Sequence, residues 1–244
     1  MSDAPSAEEA RFSFPDPDDA DEDGVVAVGG PLDPYRILAA YRRGIFPWSG
    51  RPVRWYSPDP RAIFWQARLP RKLGKMARKG GFGVTYDRDF EGVIRGCLEA
   101  HRDEGVWITP AFIAGYTGLH RLGYAHSVEV WQGDELVGGL YGVQLQGLFS
   151  GESMFFRVSN ASKVAFAALV ARLGSIGTVL VDCQSLTEHT YRLGAGLVRR
   201  ADYLRLLSQA LRVRCLYAES RWPEALSPEE ASWLGLGATT PTER

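Results

Sequence analysis

The chain has 244 residues, 45% of them hydrophobic and 23% charged, with a formal net charge of −1. A chain of this length and composition can bury a core in one large domain or two small ones, which excludes a wholly disordered protein. The balanced charge excludes a general attraction to nucleic acid, so any such contact has to come from a local basic patch.

The sequence pattern indicates neither a membrane span nor secretion. No uninterrupted apolar run approaches the roughly 20 residues that a bilayer-spanning helix needs. The acidic start, Met1-Ser-Asp-Ala-Pro, lacks the basic and apolar regions of a secretory signal. Three cysteines, Cys97, Cys183 and Cys215, form no Cys-x-x-Cys motif and cannot all be bridged. We therefore expect a reduced, cytoplasmic protein.

The first quarter of the chain begins with an acidic, proline-containing lead-in over residues 1–24, of which we expect 1–11 to be disordered. A helix follows, because Asp33 suits the N-cap, Pro34 the first helical position, and Gly44 the end of the last turn. The next stretch, from Phe46 to Trp65, is aromatic and proline-rich, which predicts loops and short edge strands.

The middle of the chain alternates between helical and strand patterns. Apolar residues at helical spacing predict a helix over 89–102, and Thr109-Pro110 begins another helix that ends at Gly123. Alternating residues predict a strand over 127–131. A turn follows at Gly133-Asp134, and 135–149 continues as strands bent at glycines.

The last third begins with a predicted helix over 160–173 and a short buried strand over 178–181 that ends at Asp182. Two further helices are predicted over 187–193 and 201–211, and residues 222–244 have the pattern of a polar tail. Strands interleaved with helices in this order indicate an α+β or mixed α/β fold.

Two carboxylates and an amide stand out among apolar residues in the C-terminal half. Glu152 interrupts an apolar run, so it has to meet a cation, either a ligand ammonium or a core arginine. In a regular strand Asp182 and Gln184 share one face while Cys183 points the other way. This pair suits the holding of an amine; the alternative is that Asp182 caps the next helix and Gln184 pairs with backbone. Such a mixture predicts a small-ligand pocket.

A dense basic segment lies between these regions, formed by Arg61, Arg68, Arg71, Lys72, Lys75, Arg78 and Lys79. If the segment is helical, Arg71, Lys75 and Lys79 line one side, where like charges repel mildly. A polyanion alongside would reverse that cost through phosphate contacts. The alternative is an ordinary solvated helix face.

Seven short motifs occur in register along most of the chain. They are Arg43-Gly-Ile-Phe-Pro-Trp48, Ser57-Pro-Asp-Pro-Arg61, Ala125-His-Ser-Val-Glu-Val-Trp131, Leu136-Val-Gly-Gly-Leu-Tyr-Gly142, Gly151-Glu-Ser-Met-Phe155, Asn160-Ala-Ser-Lys163 and Asp182-Cys-Gln184. From about Phe12 to about Leu211, the chain therefore resembles the bacterial leucyl/phenylalanyl-tRNA–protein transferases.

The resemblance implies a fold and an activity. The fold is α+β, with a small N-terminal α/β domain over 25–61, a larger acetyltransferase-like (GNAT-related) mixed-sheet domain over 62–221 and a tail over 222–244. The activity is transfer of leucine or phenylalanine, with methionine as a further candidate, from aminoacyl-tRNA to the α-amine of proteins that begin with Arg or Lys. The product is marked for degradation, and a monomer is expected.

The resemblance also implies roles for individual residues. Gln184 takes the proton of the attacking amine with the support of Asp182, and Glu152 holds the ammonium of the aminoacyl ester. Trp48 stacks on the terminal adenine of tRNA, although a tryptophan that packs the two domains together is the alternative. The amino-acid side chain lies in a pocket of Leu140, Phe149, Met154, Leu169, Leu173 and Val181. The tRNA is bound by Arg71, Lys72, Lys75, Arg78 and Lys79 together with Trp48.

No cofactor or metal is expected for this chemistry, because the ester is already activated. The sequence has no phosphate-binding Gly-x-x-x-x-Gly-Lys-Ser/Thr loop, and its four histidines lack metal-ligand spacing. Two alternatives stay open: a small-molecule N-acyltransferase that uses acyl-CoA, and a non-catalytic tRNA-binding module. Compared with the family pattern, Ser150 replaces cysteine, Leu140 stands where some members have methionine, and Arg192 replaces serine, which adds a cation near Asp182 along the chain.

Overall fold

A computed structural model of the protein describes residues 7–48, 52–101 and 109–236. The strands are β1 (Val25–Val28), β2 (Phe46–Trp48), β3 (Arg54–Tyr56), β4 (Arg61–Phe64), β5 (Phe82–Tyr86), β6 (Ala125–Gln132), β7 (Glu135–Leu145), β8 (Leu148–Phe156), β9 (Leu180–Gln184) and β10 (Ala195–Val198). The helices are α1 (Pro34–Tyr41), α2 (Leu73–Gly80), α3 (Phe90–Ala100), α4 (Pro110–Arg121), α5 (Ala161–Ile176), α6 (Glu188–Leu193), α7 (Arg200–Ala210) and α8 (Pro228–Leu234). The fold is mixed α/β, as the sequence predicts.

The strands form two sheets. A three-stranded antiparallel sheet has the order β1-β3-β2, and a seven-stranded sheet has the order β10-β4-β9-β8-β7-β6-β5. In the large sheet only β8 and β9 are parallel. Their pairing runs from Leu148 with Leu180 to Ser150 with Asp182 and then stops, although both strands continue. A cleft opens where these two strands part.

Two hydrophobic clusters cover opposite faces of the large sheet. One joins the sheet to α1, α3, α4 and α7, and the other joins it to α2, α5 and α8. Successive residues of β7 divide between them, with Leu140 in the second cluster and Tyr141 in the first. Because side chains alternate along a strand, the sheet lies between two layers of helices.

Several helix ends are confirmed where a capping residue is present in the sequence. The Asp33 carboxylate accepts the backbone N–H of Tyr35 at 2.9 Å, and Pro34 occupies the first helical position. Asp89 and Thr109 cap α3 and α4 in the same way. A side-chain oxygen at the N-cap replaces a missing backbone partner, so these starts can be recognised from sequence.

The proline-rich stretch differs in part from the prediction. It contains short strands, but β3 is the middle strand of the small sheet and β4 lies inside the large one. Only β2, which carries Pro47, is an edge strand, as the missing N–H of proline requires. The small sheet ends at Tyr56 and the large one begins at Arg61, and one hydrophobic cluster spans the gap. The domain boundary near Arg61 therefore remains a proposal.

Both ends of the chain carry more structure than the sequence predicts. Glu9–Arg11 forms a turn of 3-10 helix, and the buried carboxylate of Glu9 accepts a hydrogen bond from Arg42 at 2.7 Å. The expected disorder of 1–11 is therefore wrong for this turn. In the expected C-terminal tail, Trp222 is buried and α8 forms behind a capping box made by Ser227 and Glu230. Within the described parts of the chain, no helix is of a length and apolarity that would let it span a bilayer.

Candidate active site

The cleft between β8 and β9 widens into a cavity of about 400 Å³. Beyond Ser150 and Asp182 the two strands no longer pair, and the residues that follow on each strand line the cavity. The cavity is bounded by Trp48, Phe64, His101, Leu140, Tyr141, Phe149, Gly151, Glu152, Ser153, Met154, Phe156, Phe166, Leu169, Val181, Asp182, Cys183, Gln184, Ser185, Thr187, His189, Thr190 and Leu193. A mostly apolar wall with a few polar groups is typical of a small-ligand site.

Glu152 and Gln184 face each other across this cleft. The Gln184 amide Nε2 donates to Glu152 Oε1 at 2.8 Å, and Tyr116 donates to the other oxygen, Oε2, at 3.0 Å. Among the described residues no lysine, arginine or histidine pairs with this carboxylate. The described part of the chain therefore supplies no core arginine for Glu152, which leaves the ligand ammonium as the favoured partner.

The environment of Glu152 raises the pKa of its carboxyl group. Burial raises the pKa of Glu152 to about 7, although hydrogen bonds from Tyr41, Gln184 and Tyr116 lower it. The nearby charge of Asp182 raises this pKa further. A carboxyl group whose pKa lies close to neutrality can bind or release a proton under physiological conditions, which is common in functional sites.

Asp182 is fully buried and paired with Arg61. The Arg61 guanidinium donates through Nε to Oδ1 at 2.9 Å and through Nη2 to Oδ2 at 2.5 Å. Tyr203 donates to Oδ2 at 3.0 Å. A bidentate pair of this kind satisfies the carboxylate, so Asp182 has no charge left with which to attract a substrate amine. The arrangement favours a role for Asp182 that acts through its neighbours.

Arg61 is itself enclosed on every side. Its guanidinium lies between the rings of Phe46 and Tyr203, at 4.6 and 4.5 Å, and Nη1 donates to the Gly44 carbonyl at 3.1 Å. Burial would lower the pKa of Arg61, but the Asp182 carboxylate raises it above its ordinary value. The guanidinium thus stays charged and fixes Asp182 behind the cleft.

A bulge in β9 replaces the regular alternation assumed from the sequence. Ile63 pairs with Asp182 and the adjacent Ala62 pairs with Gln184, so Cys183 is the extra residue. Gln184 has a left-handed backbone with φ of 64°, and its N–H donates to Asp182 Oδ1 at 2.8 Å. The expectation that Cys183 points away from the other two is therefore wrong, because all three residues line the cavity.

Five of the six residues predicted for the side-chain pocket line this cavity: Leu140, Phe149, Met154, Leu169 and Val181. Leu173 does not. It lines a smaller neighbouring cavity of about 200 Å³ beside Phe64 and Trp65, because it lies one turn beyond Leu169 on α5. The placement of Leu173 in the pocket is therefore wrong.

The residues predicted to bind tRNA lie at two places. Trp48 is 38% exposed at the rim of the cavity and packs edge-on against Tyr56 at 5.6 Å. The basic residues lie on and just before α2, and all five are exposed: Arg71, Lys72, Lys75, Arg78 and Lys79. Arg78 also donates to the carbonyl of Gly235 after α8.

Arg192 and the histidines differ from what the sequence suggests. Arg192 is exposed and pairs with Glu188 on the same helix, and it does not line the cavity. His101 and His189 do line it, and His189 Nε2 lies 3.0 Å from the sulfur of Met154. In the ranges that the structure describes, no cluster of three His, Cys, Asp or Glu residues has the arrangement of a metal site.

Three site residues escaped the sequence argument: Arg61, Tyr41 and Tyr116. The grouping of Arg61 with the dense basic segment is wrong, because Arg61 is 1% exposed and pairs with Asp182, 121 residues further along the chain. The two tyrosines lie among the apolar, core-facing residues of their helices. Only the tertiary fold brings their hydroxyl groups to Glu152.

This geometry defines an α/β protein with a largely apolar pocket that a carboxylate and an amide border. Comparison with known proteins names the family. The family model for leucyl/phenylalanyl-tRNA protein transferase matches residues 63–208, and the model for the N-terminal domain of the same family matches 30–59.

Curated relatives agree over most of the chain. The leucyl/phenylalanyl-tRNA–protein transferase of Anaeromyxobacter dehalogenans is 50% identical over 223 residues, which are 88% of this chain and 95% of that protein. The enzyme of the same name from Solidesulfovibrio magneticus is 51% identical over 81% of this chain and 82% of its own length. The chain belongs to the leucyl/phenylalanyl-tRNA–protein transferase family. The resemblance found in its motifs is confirmed.

Among solved structures, the C-terminal domain of a proposed lysylphosphatidylglycerol synthetase from Agrobacterium fabrum matches with a TM-score of 0.35 and 10% identity. The match covers 83% of this chain and 68% of that one. A TM-score this low supports no inference about the fold of this protein.

Proposed function

We propose that this chain transfers leucine or phenylalanine, with methionine as a further candidate, from aminoacyl-tRNA to the α-amine of proteins that begin with Arg or Lys. Its membership of the family supports the reaction class. The observation that carries the proposal is the contact of Glu152 with Gln184 in an apolar cavity of about 400 Å³. The cavity offers room for one hydrophobic side chain and an acidic partner for its amino group.

In the proposed reaction the neutral acceptor amine attacks the ester carbonyl of the aminoacyl-tRNA. A peptide bond forms, the ester bond to the 3′-terminal ribose breaks, and the amine loses a proton as the ribose hydroxyl is released. An α-amine has a reference pKa of about 7.7–8.0, so a sizeable fraction is already neutral. The protein therefore needs to orient the amine and stabilise charge, not to supply a strong base.

Three polar side chains divide this work in the proposal. Glu152 holds the ammonium of the aminoacyl group, since no described lysine, arginine or histidine pairs with this carboxylate. The Gln184 amide orients the attacking amine, and Asp182 fixes the backbone of Gln184 through the 2.8 Å hydrogen bond to its N–H. Asp182 thus acts through Gln184, with Arg61 as its counter-ion.

The proposed amino-acid pocket consists of Leu140, Phe149, Met154, Leu169 and Val181. An apolar pocket separates similar hydrophobic side chains by only about 1–3 kcal/mol, which suits a protein that accepts both leucine and phenylalanine. The tRNA is proposed to reach the cavity past Trp48, with its acceptor stem along Arg71, Lys72, Lys75, Arg78 and Lys79.

The proposal also covers the type of catalytic domain, the location and oligomeric state of the protein, and the fate of its product. The large sheet, with its parting of β8 from β9, supports an acetyltransferase-like (GNAT-related) catalytic domain over 62–221. We propose that the protein acts as a cytoplasmic monomer and that its product is marked for degradation.

A transfer assay tests the proposal. The protein is incubated with radiolabelled Leu-tRNA and a peptide that starts with Arg, and ribonuclease-resistant label is measured on the peptide. The same peptide with an acetylated N-terminus is the matched control, since it lacks only the reactive amine. We expect label on the free peptide alone. Label derived from acyl-CoA instead would favour a small-molecule N-acyltransferase, and tRNA retention without transfer would favour a binding module.

A further inference from the structure

Two buried tyrosines stand behind the carboxylate of Glu152. Tyr41 is the last residue of α1 and Tyr116 lies on α4, and both side chains are at most 1% exposed. Their hydroxyl groups lie 2.8 Å apart, and Tyr116 donates to Glu152 Oε2 at 3.0 Å. The hydroxyl pair therefore ends on Glu152, a cavity carboxylate for which no described residue supplies a cation.

The number of protons on the two hydroxyl groups determines which groups donate in this series of hydrogen bonds. The single proton of the Tyr116 hydroxyl goes to Glu152, so its oxygen is left to accept from Tyr41. Burial, together with the charge of Glu152, raises the pKa of both tyrosines well above 10. Both hydroxyls thus remain protonated donors at any physiological pH.

The other carboxylate oxygen is fixed from the opposite side. Glu152 Oε1 accepts from Gln184 at 2.8 Å and lies 3.3 Å from the Ser150 hydroxyl. With neutral donors on both oxygens, the carboxylate cannot rotate without losing a hydrogen bond in a poorly solvated place. Because these donors are neutral, the negative charge of Glu152 remains available to a substrate ammonium.

We propose that Tyr41 and Tyr116 are positioning residues, which hold Glu152 ionised and correctly oriented for the substrate ammonium. This inference rests on the proposed function. It also gives α1, part of the segment matched by the N-terminal family model, a part in the catalytic geometry.

Removing a donor to a carboxylate raises the pKa of that carboxyl, because the ionised form loses more than the protonated form. The other polar and titratable groups around Glu152 stay in place in a tyrosine-to-phenylalanine variant. They are Ser150 on the same strand, Asp182 and Gln184 on β9, Arg61 on β4, Tyr203 on α7, Tyr141 on β7, Cys97 on α3, and the cavity histidines His101, just after α3, and His189 on α6. A shift in the titration of Glu152 thus reports the missing hydroxyl.

The test compares Tyr116→Phe and Tyr41→Phe with Tyr86→Phe. Tyr86 is a matched control, since it is equally buried and its hydroxyl bonds to the Ala168 carbonyl outside the cavity. The Glu152 carboxyl is titrated by infrared spectroscopy, and its band is identified by its loss in Glu152→Gln. Glu129→Gln removes the band of Glu129, a fully buried carboxyl whose pKa is also raised to about 7.

We expect the Glu152 titration to move to higher pH in both Tyr116→Phe and Tyr41→Phe, and not in Tyr86→Phe. A shift of one pH unit would lower transfer about tenfold at pH 6, with recovery above pH 8. If Tyr116→Phe does not fold, Tyr41→Phe carries the same test.

An unchanged titration in both variants would overturn the inference, as would a shifted titration with an unchanged pH profile of transfer. The infrared measurement needs no transfer, so it separates the two proposals. If the unaltered protein transfers nothing, the proposed function fails and the active-site role inferred for the tyrosines fails with it. The titration then still decides whether the two hydroxyls act on Glu152.

Discussion

The guanidinium of Arg61 binds both carboxylate oxygens of Asp182, and neither side chain is more than 1% exposed. Breaking a buried pair by removing one partner leaves an uncompensated charge, which costs about 3–5 kcal/mol. We expect Arg61→Gln and Asp182→Asn each to lower the free energy of unfolding by an amount in this range. Urea unfolding measures both changes.

The double variant is the control for this first prediction. With both charges gone, the neutral pair should be less destabilised than the sum of the single variants, by roughly 1–3 kcal/mol of coupling. Additive losses would show that the two groups stabilise the fold independently and would contradict the paired arrangement.

The second prediction concerns Glu152. Glu152→Gln keeps the shape of the side chain but removes the charge that faces the substrate ammonium. We expect transfer to fall on the order of 10², with tRNA affinity unchanged, because the basic residues of α2 lie elsewhere. Single-turnover transfer and filter binding give the two readouts. Glu129→Gln, at a fully buried carboxyl outside the cavity, should transfer normally. Equal losses in the two variants would remove Glu152 from the site.

The third prediction separates Leu140 from Leu173. Leu140→Phe fills the cavity, and Leu173→Phe makes the same change in the neighbouring one. Each costs about 1–3 kcal/mol of stability by overpacking. Only Leu140→Phe is expected to lower transfer of phenylalanine more than transfer of leucine, in a competition between the two charged tRNAs. A change of preference in Leu173→Phe alone would place the amino-acid pocket in the smaller cavity.

The fourth prediction addresses the basic face of α2. Lys75→Ala with Lys79→Ala should weaken tRNA binding and reduce the salt dependence by about 0.7–0.9 in slope for each lost phosphate contact. Arg78 is left intact because it contacts the backbone after α8. Arg95→Ala with Arg205→Ala removes the same charge from exposed residues already paired with acids. An equal effect of both pairs would show attraction by overall charge and no specific contact.

The local parts of the fold could be predicted because their causes lie close together in sequence. Asp33, Asp89 and Thr109 cap helices within a turn of themselves. The helix α8 was missed although the same kind of signal was present, since Ser227 stands three residues before Glu230. The tail was judged by its polarity, and its capping box was overlooked.

The site was predictable only to the level of its polar residues. Glu152, Asp182 and Gln184 do line one cavity, but their charges are arranged differently from the expectation. The partner of Asp182 is Arg61, which comes from another strand 121 residues earlier. The bulge at Cys183 depends on how β9 pairs with β4, which no property of β9 alone determines. Long-range pairing decides such details, and a single sequence does not record it.

The fifth prediction is a pH dependence of stability. Burial raises the pKa of Glu129 to about 7, above its ordinary value of 4.5 in the unfolded chain. The folded protein therefore binds more protons, and this group destabilises it as pH rises from about 4.5 through 7. Glu129→Gln removes this loss, on the order of 2–3 kcal/mol. Unfolding free energies at pH 5 and pH 8 should differ less in the variant. An equal difference in both proteins would contradict the raised pKa.

The central claim is that the cavity between β8 and β9 holds the aminoacyl group, with Glu152 on its ammonium. The most direct test is a crystal structure with a non-hydrolysable amide of phenylalanine on the 3′-amino group of adenosine. We predict the benzyl ring among Leu140, Met154 and Val181, and the ammonium within about 3 Å of a Glu152 oxygen. A ring bound outside this cavity, or an ammonium remote from Glu152, would contradict the account.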